Sequence, residues 1–233
     1  MKILAVVPAR SGSKGFPNKN IAKVNGVTLL EIAINVAINC SLITDVYIST
    51  DSDEYMGIAE RAGAKSKGLR KLHLANDEAK SVDVVIDLLE SLDEPYEYLV
   101  LLQPTSPIRE PSDIEKMLNK ITSNQADACV SVSPFDEPHP YKLKSISKEG
   151  FLEAFMPGES SEVPRQSLPP VYALNGAIYV VSVDTLLRHK TFFPPRTLPY
   201  LMKTNINIDS EEDFIFLNAM EKANKTPRIK VIV

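Results

Sequence analysis

The chain has 233 residues, of which 44% are hydrophobic and 24% are charged, a composition typical of a folded globular protein rather than a disordered or fibrous one. Its 26 Lys and Arg residues are outnumbered by 30 Asp and Glu residues, and the formal charge of -4 disfavours nucleic acid as a partner. The length suits one large domain, or one domain with a subdomain.

The part of the chain before Pro134 alternates short β-rich runs with helical patterns. Strands are predicted at 2–7, 46–50, 98–103 and 128–133, and helices at 28–40, 54–62, 81–92 and after Pro111. In the last helix an apolar stripe recurs at helical spacing through Ile114, Met117, Leu118 and Ile121. This alternation predicts an α/β fold with a doubly wound, mostly parallel sheet, paired in parallel through crossover helices. Ligands of such sheets bind beyond the carboxyl ends of the strands, so we expect function in the loops after Val7, Thr50 and Gln103.

Proline is concentrated in the next region, where 10 of the 17 prolines lie between Pro134 and Pro199. Extended pieces are predicted there at 141–145 and 176–181, and the aromatic residues are too many for a solvated linker. We therefore predict an α/β domain of residues 1–134 and 200–233 and an inserted arm of residues 135–199. The arm is expected to pack on another surface, with a second subunit as one option.

The chain then returns to the α/β domain. An extended segment is predicted at 205–208, followed by a helix that Ser210 and Asp213 cap. A final strand is predicted at 229–233, where it could rejoin the sheet.

Two cysteines and the N-terminal segment bear on the cellular environment. Cys40 and Cys129 lie far apart in apolar surroundings and fit no metal or redox spacing, which favours buried thiols in a reducing compartment. The apolar run from Ile3 to Val7 is too short for a signal peptide or a membrane span. We therefore expect a cytoplasmic protein that does not bind a membrane.

The strongest chemical signal is the loop from Pro8 to Asn20, directly after the first strand. Its two glycines and two serines allow backbone N–H groups to converge on an anion, and Arg10, Lys14 and Lys19 add three cations. A triphosphate would meet these requirements. The loop matches neither the Walker A pattern nor the G-x-G-x-x-G fingerprint. The remaining alternative is a basic, solvated connection between strand and helix.

Six blocks of sequence, in the same order, resemble the CMP-sialic acid synthetase family. They are residues 9–15 with 19–20, Arg70 with 74–81, residues 103–109, 164–166, 175–179 and 208–209, and they span nearly the whole chain. The resemblance implies a nucleotidyltransferase that transfers CMP from CTP to the anomeric hydroxyl of a nine-carbon keto acid, with release of pyrophosphate. Such chemistry depends on positioning and on neutralising phosphate charge.

The resemblance also assigns residues to the nucleotide. Those expected to bind it are Ala9, Arg10, Ser13, Lys14, Asn20, Arg70 and Ser81. Arg10, Lys14 and Lys19 are the expected catalytic residues, with Lys19 nearest the transferred phosphorus. For Arg70 the alternative is a surface salt bridge, and for Ser81 it is a helix N-cap, a role that could coexist with binding.

The acceptor sugar is assigned to the carboxyl end of the third main strand and to the arm. The residues that resemble the family's substrate contacts are Gln103, Lys142, Arg165, Asn175, Tyr179, Phe192 and Phe193. Arg109 is expected to support this site from behind. Phe192 and Phe193 could instead form the core of a dimer. The resemblance gives the arm the roles of sugar binding and dimerisation, and it implies a homodimer.

A magnesium site is expected at residues 207 and 209, which share one face of an extended strand. The family pattern has two aspartates here, whereas this chain has Asn207 and Asp209. The amide removes one negative charge, so the affinity for Mg²⁺ should be lower. A second departure is Ala173, where the family commonly has an arginine. Fewer charged donors would suit a less hydroxylated acid such as legionaminic acid.

Three alternatives follow from the same sequence. The first is an enzyme like CMP-Kdo synthetase, which acts on an eight-carbon acid. The second is a non-catalytic CTP-binding relative, suggested by the replacement of charged residues at Asn207 and Ala173. The third, a nicotinamide-dependent oxidoreductase, is disfavoured because the chain lacks the glycine fingerprint with its acidic ribose partner.

Overall fold

A computed structural model describes residues 1–12, 15–135, 138–156, 162–203 and 206–223. Ten strands are present in these ranges. They are β1 (Ile3–Pro8), β2 (Lys23–Val24), β3 (Val27–Thr28), β4 (Asp45–Ser49), β5 (Tyr98–Leu101), β6 (Ala128–Pro134), β7 (Lys144–Ile146), β8 (Leu152–Ala154), β9 (Tyr172–Ser182) and β10 (Thr197–Leu201). Six α-helices accompany them: α1 (Leu29–Ile38), α2 (Asp53–Arg61), α3 (Ser81–Glu90), α4 (Pro111–Asn124), α5 (Val183–His189) and α6 (Glu211–Lys222).

Six of the strands form a central sheet in the order β10-β6-β9-β5-β1-β4. The pairs β1–β4, β1–β5 and β6–β10 are parallel, whereas β9 is antiparallel to both β5 and β6. The predicted mostly parallel sheet is therefore confirmed, with β9 as its antiparallel strand. Parallel neighbours need a crossover connection, usually a helix, and the described residues between β6 and β9 contain no α-helix. The chain therefore enters β9 next to the end of β6 and runs in the opposite direction. The pairing of Pro134 with Tyr172 marks this return.

Helices cover both faces of the sheet, as a doubly wound arrangement requires. Along β1, Ile3, Ala5 and Val7 join a core cluster with residues of α1, α2 and α4. Leu4 and Val6, which point to the opposite face, join a cluster with residues of α3 and α5. The sheet is thus buried on both sides, and its open surface for ligands is the edge beyond the strand ends.

Local sequence signals explain where the helices begin and which face is buried. The predicted stripe of α4 is confirmed, because Ile114, Met117, Leu118 and Ile121 are all at most 1% exposed. The predicted cap of α6 is also confirmed: Ser210 and Asp213 form a capping box in which each side chain accepts from the other's backbone N–H. This cap fixes the start of α6 next to residues 206–209.

The predicted boundary of the inserted arm at residue 199 is wrong. Strands β9 and β10 both belong to the central sheet, so the described part of the arm that precedes β9 is limited to residues 135, 138–156 and 162–171. They contain the small β7–β8 hairpin, which exposes Ile146, Phe151 and Leu152. The sequence of β9 gives the reason: its residues 175–182 are buried or partly buried, as expected of a strand that lies between two neighbours in a sheet covered on both faces. The strand predicted at 229–233 lies outside the described residues.

Two further expectations concern burial. Cys40 and Cys129 are buried and unpaired, as predicted. Among the described residues, none of the helices has the length and apolar character needed to cross a lipid bilayer.

Candidate active site

A cavity of about 420 Å³ opens at the carboxyl ends of β1, β4 and β5. These three strands are neighbours and run in the same direction, so their following loops meet at one edge of the sheet. The cavity is lined by Pro8, Arg10, Gly15, Lys19, Asn20, Arg70, Leu74, Asn76, Asp77, Ala79, Ser81, Val84, Gln103, Pro104, Thr105, Asn207 and Asp209. Residues far apart in the sequence thus converge on one concave surface, and eight of the predicted site residues are among them.

Asp51 fixes the beginning of the loop after β1. Its carboxylate accepts hydrogen bonds from the backbone N–H of Ser11 at 2.8 Å and from the Ser11 hydroxyl at 3.0 Å. Ala9 is 1% exposed and donates its N–H to the carbonyl of Ser49, so it fixes the beginning of the loop to the end of β4. The predicted nucleotide-binding residues Ser13 and Lys14 lie outside the described residues.

Arg10 and Asn20 form one wall of the cavity through contacts with each other and with Asp77. The Arg10 guanidinium is paired with the Asp77 carboxylate. Asn20 is 5% exposed, and its side-chain amide donates to the Arg10 carbonyl at 3.0 Å. Asn20 sits in a short 3-10 helix, Lys19–Ile21, which is preceded by Asn18 in the left-handed conformation with φ of 56°. This local geometry turns Lys19 and Asn20 toward the cavity.

Lys19 and Asp209 form an ion pair in the lining of the cavity. The Lys19 ammonium lies 2.9 Å from a carboxylate oxygen of Asp209, and the two side chains are 18% and 68% exposed. The other oxygen of Asp209 accepts from the Asn207 amide at 2.5 Å. Asp209 in turn donates its backbone N–H to Asp213, and this bond together with that from Ser210 lowers the pKa of the Asp213 carboxyl. Cation, carboxylate and amide are therefore ordered side by side.

Arg70 lies in the cavity wall, and its donors are directed at the protein itself. Its guanidinium donates to the hydroxyl of Ser49 at 3.1 Å, and also to the carbonyls of Ser49 and Leu74. Burial lowers the pKa of Arg70 to about 10. The surface salt bridge considered for Arg70 is not the observed arrangement, because the side chain ties β4 to the segment after it by hydrogen bonds to neutral groups.

Ser81 lines the same cavity as the first residue of α3. The N-cap of that helix is Lys80, so the helix-cap alternative for Ser81 is wrong by one position. As the first helical residue, Ser81 presents its hydroxyl next to the helix N-terminus, where backbone N–H groups remain unpaired.

A second cavity, of about 390 Å³, adjoins the first and shares Gln103 and Asn207 with it. Its other lining residues are Ser133, Pro134, Phe135, Ala173, Leu174, Asn175, Gly176 and Tyr179. Within the described part of the chain, this lining contains neutral polar groups and apolar walls and no charged side chain. A ligand here would be held by hydrogen bonds and apolar contact.

Asn175 builds the wall of the second cavity. Its side-chain oxygen accepts from the Ser131 hydroxyl at 2.6 Å and from the Ala177 N–H at 3.1 Å, and its amide donates to Ser133 at 3.1 Å. Asn175 is 6% exposed, so these bonds replace the water that the buried amide has lost. The side chain therefore shapes the cavity by fixing the start of β9.

Four residues assigned to the acceptor do not line the second cavity. Phe192 is 6% exposed and belongs to the core, where its ring packs 5.5 Å from that of Tyr179. Phe193 is 47% exposed and approaches the same tyrosine at 6.1 Å. Lys142 donates to the carbonyl of Val163 at 2.8 Å. Phe192 is thus a core residue that supports Tyr179, and Tyr179 itself lines the second cavity.

Arg165 is the fourth of these residues. It lines a third cavity, of about 200 Å³, beside His139 and the proline-rich segment 168–171. The third cavity shares Pro134 and Phe135 with the second, so the two cavities lie next to each other, with residues 134–135 between them. Arg165 therefore lies outside the second cavity, on the far side of residues that the two cavities share.

The donor set for a metal ion consists of Asp209 and the neighbouring Asn207. The described residues contain no group of three or more His, Cys, Asp or Glu side chains that could hold a metal ion. Mg²⁺, however, is commonly bound by one or two carboxylates together with substrate phosphates and water. An exposed carboxylate at the rim of a cavity lined by cations fits an ion that is shared with a polyphosphate.

Sequence reasoning did not single out Asp51, nor the role of Asp77 as the partner of Arg10. A signal for Asp51 was available, since it lies two residues beyond the end of β4, at the edge where the loops of parallel strands meet. The signal for the Arg10–Asp77 pair was absent, because nothing in the spacing indicates which carboxylate a loop arginine will reach.

Comparison with known proteins places this arrangement in a family. The sequence model of the cytidylyltransferase family matches residues 4–225. The chain is 33% identical over 233 residues to the CMP-N,N'-diacetyllegionaminic acid synthase of Legionella pneumophila, with 97% of this chain and 98% of the relative covered. The chain therefore belongs to the cytidylyltransferase family.

Two other matches concern the length of the relatives and the fold they share with this chain. The chain is 37% identical over 219 residues to an N-acylneuraminate cytidylyltransferase of Streptococcus agalactiae, covering 92% of this chain and 52% of the relative. It thus spans about half the length of that relative. A solved structure of a CMP:2-keto-3-deoxy-manno-octonic acid synthetase complexed with CTP superposes with a TM-score of 0.72, at 15% identity, covering 96% of this chain and all of the other. That likeness concerns the fold.

Proposed function

We propose that this protein transfers CMP from CTP to the anomeric hydroxyl of a nonulosonic acid, a sialic-type or legionaminic acid, and releases pyrophosphate. The observation that carries the proposal is the pair of adjoining cavities that share Gln103 and Asn207. The first is lined by Arg10, Lys19 and Arg70 together with the carboxylates of Asp77 and Asp209, a set that suits a triphosphate with a metal ion, and the second has no charged side chain in its described lining and suits a sugar. Relatives at 33% and 37% identity are named as synthases of CMP-legionaminic acid and as N-acylneuraminate cytidylyltransferases.

The reaction needs alignment and charge neutralisation more than covalent help from the protein. The acceptor oxygen forms a bond to the α-phosphorus, the bond from that phosphorus to the bridging oxygen breaks, and the hydroxyl proton passes to water. In this proposal CTP lies in the first cavity with its phosphates against Arg10 and Lys19. The shared residue Gln103 then stands where nucleotide and acceptor meet.

We also propose that Mg²⁺ is the cofactor, with Asp209 as its protein ligand and Asn207 beside it. When bound, the ion would neutralise charge on the phosphate oxygens as the pyrophosphate leaves. The protein's own part is to orient the Asp209 carboxylate, which Lys19 and Asn207 hold from two sides.

A homodimer and a cytoplasmic location complete the proposal. Phe151, Leu152 and Phe155 are between 63% and 73% exposed on and beside the β7–β8 hairpin, an apolar surface that a second subunit would cover. The cytoplasm supplies CTP, and its reducing conditions suit the two free, buried cysteines.

The proposed function is tested by pyrophosphate release from the purified protein with CTP and Mg²⁺. N-acetylneuraminic, legionaminic, pseudaminic and Kdo acids are supplied in parallel. Turnover of a nine-carbon acid supports the proposal and identifies the acid. Turnover of Kdo alone would assign the enzyme to the eight-carbon class, and CTP binding without release of pyrophosphate from any acid would indicate a non-catalytic relative.

The substitution Asn207→Asp is expected to lower the Mg²⁺ concentration for half-maximal activity about tenfold, because a second carboxylate strengthens binding of a hard cation. The same change replaces the hydrogen bond between residues 207 and 209 by repulsion between two carboxylates. The thermal midpoint should therefore fall without Mg²⁺ and recover when the ion is added.

The matched control is Asn39→Asp, which adds the same charge at the exposed end of α1. It should leave the Mg²⁺ titration unchanged. An unchanged titration for Asn207→Asp as well would show that residue 207 takes no part in metal binding.

A further inference from the structure

Arg109 is a buried cation that the proposed chemistry does not use. It is 6% exposed and lies just before α4, behind the turn 103–106 that follows β5. Within the described residues, its Nε and Nη2 atoms are buried and have no hydrogen-bond partner. Burial lowers the pKa of Arg109 to about 9. Unpaired buried donors are costly, so a group of this kind requires an explanation.

The third guanidinium nitrogen, Nη1, makes all the side-chain hydrogen bonds of Arg109 that the described residues show. Nη1 donates to the carbonyls of Gln103 at 2.7 Å, Ser106 at 2.8 Å and Ala177 at 3.0 Å. Gln103 and Ser106 belong to the turn after β5, whereas Ala177 belongs to β9. One nitrogen therefore ties two separate segments together.

The register of the sheet shows what this nitrogen displaces. In the β5–β9 ladder Leu99 faces Val181, Val100 faces Val180, and Leu101 faces Tyr179, where the pairing ends. Continued by two residues, the same antiparallel register would place Gln103 opposite Ala177. Those are two of the three residues whose carbonyls bind Arg109, so the guanidinium stands where the ladder would otherwise continue.

The opening created at this point is the acceptor cavity. Gln103 lines it from the β5 side, and Asn175 and Gly176 line it from the β9 side. The two sides meet closely at Gly176, whose φ is +71° and where a Cβ would lie 2.8 Å from the side-chain oxygen of Gln103. The Ser106 hydroxyl also lies 3.0 Å from the carbonyl of Asn175. The distance between the turn after β5 and the start of β9 is thus set by contacts that lie next to Arg109.

We propose that Arg109 is a positioning residue for the acceptor: its Nη1 bridges the turn after β5 to β9 beyond Leu101 and so sets the distance between Gln103 and the Asn175–Gly176 wall. The inference rests on the proposed function and adds a determinant of acceptor binding to it. The nucleotide should depend less on this contact: its cavity also takes Gln103, Pro104 and Thr105 from the turn, but its cationic residues Arg10, Lys19 and Arg70 come from other segments.

The test compares Arg109→Met, Arg109→Lys and the control Arg188→Lys, an exposed arginine paired with Asp184 on α5. In Arg109→Met the KM for the acceptor is expected to rise at least about tenfold and kcat to fall, while the KM for CTP stays within about threefold. Arg109→Lys places three donors on one nitrogen and keeps the charge, so it should restore most of the acceptor affinity. The control should match the wild type.

The proposal is overturned if the two KM values rise in parallel, if the acceptor KM is unchanged in Arg109→Met, or if lysine rescues nothing. Should the methionine variant fail to fold, Arg109→Gln replaces it with the same expected split. A crystal structure of the folded variant decides without activity: the turn 103–106 should shift relative to β9 and change the shape of the cavity, and an unmoved turn contradicts the positioning role. Wild-type turnover, measured first, tests the proposed function separately.

Discussion

Replacement of Lys19 by alanine is expected to lower kcat/KM by about 10² to 10³, the loss typical when one preorganised charge at a reacting phosphoryl or oxyanion group is removed. Lys19 lies at the cavity wall with its ammonium 2.9 Å from Asp209. No other described cation of the cavity contacts that carboxylate in this way. Its loss would remove one of the cations proposed to bind the phosphates, and it would leave Asp209 with the Asn207 hydrogen bond but without its ion pair.

The same substitution should change the stability of the fold very little. An ion pair with a largely exposed carboxylate contributes about 0 to 1 kcal/mol to stability, so the thermal midpoint should fall by no more than about 4 °C. Pyrophosphate release and thermal melting, measured on the same preparation, separate the two effects. The matched control is Lys23→Ala, an exposed lysine on β2 that does not line the cavity. A loss of activity that simply followed a loss of stability would contradict a catalytic role for Lys19.

Most helices and strands of the α/β region could be predicted because their signals are local. The stripe of α4 and the cap of α6 are each specified by residues within two turns of one another. The direction of β9 is not a local property. It depends on how the chain travels between Pro134 and Tyr172, where proline-rich sequence indicates irregular structure but not on which side the chain returns.

The position of the site could be predicted from the topology of the sheet, but the contacts that its side chains make could not. Strand ends that carry Arg10 and Gln103 must share one edge once the strands are parallel neighbours, which follows from topology. Whether Arg70 meets a ligand or the carbonyl of Ser49 is decided by distances of about an ångström, which spacing in sequence does not contain. The same holds for Phe192, whose aromatic character suits a core as well as a sugar.

Gly15→Ala is expected to reduce kcat/KM about 10²-fold, the loss that a displacement near 1 Å can cause in an aligned site. A Cβ at Gly15 would lie 2.7 Å from the backbone oxygen of Asp209, a separation that real Cβ contacts essentially never show. A backbone carbonyl cannot swing aside as the end of a side chain can. Either the loop that carries Lys19 or the segment that carries Asp209 must therefore move.

Gly12→Ala is the matched control, because a Cβ at Gly12 meets nothing within 4 Å in the described structure. The same loop thus offers one glycine that is needed for close approach and one that is not. We expect Gly12→Ala to keep near wild-type kinetics, and Gly15→Ala to raise the KM for CTP and the Mg²⁺ requirement together, since Asp209 shares both. Equal behaviour of the two variants would mean that the loop absorbs the extra methyl group without disturbing Asp209, and the tight contact at Gly15 would then have no part in aligning the nucleotide.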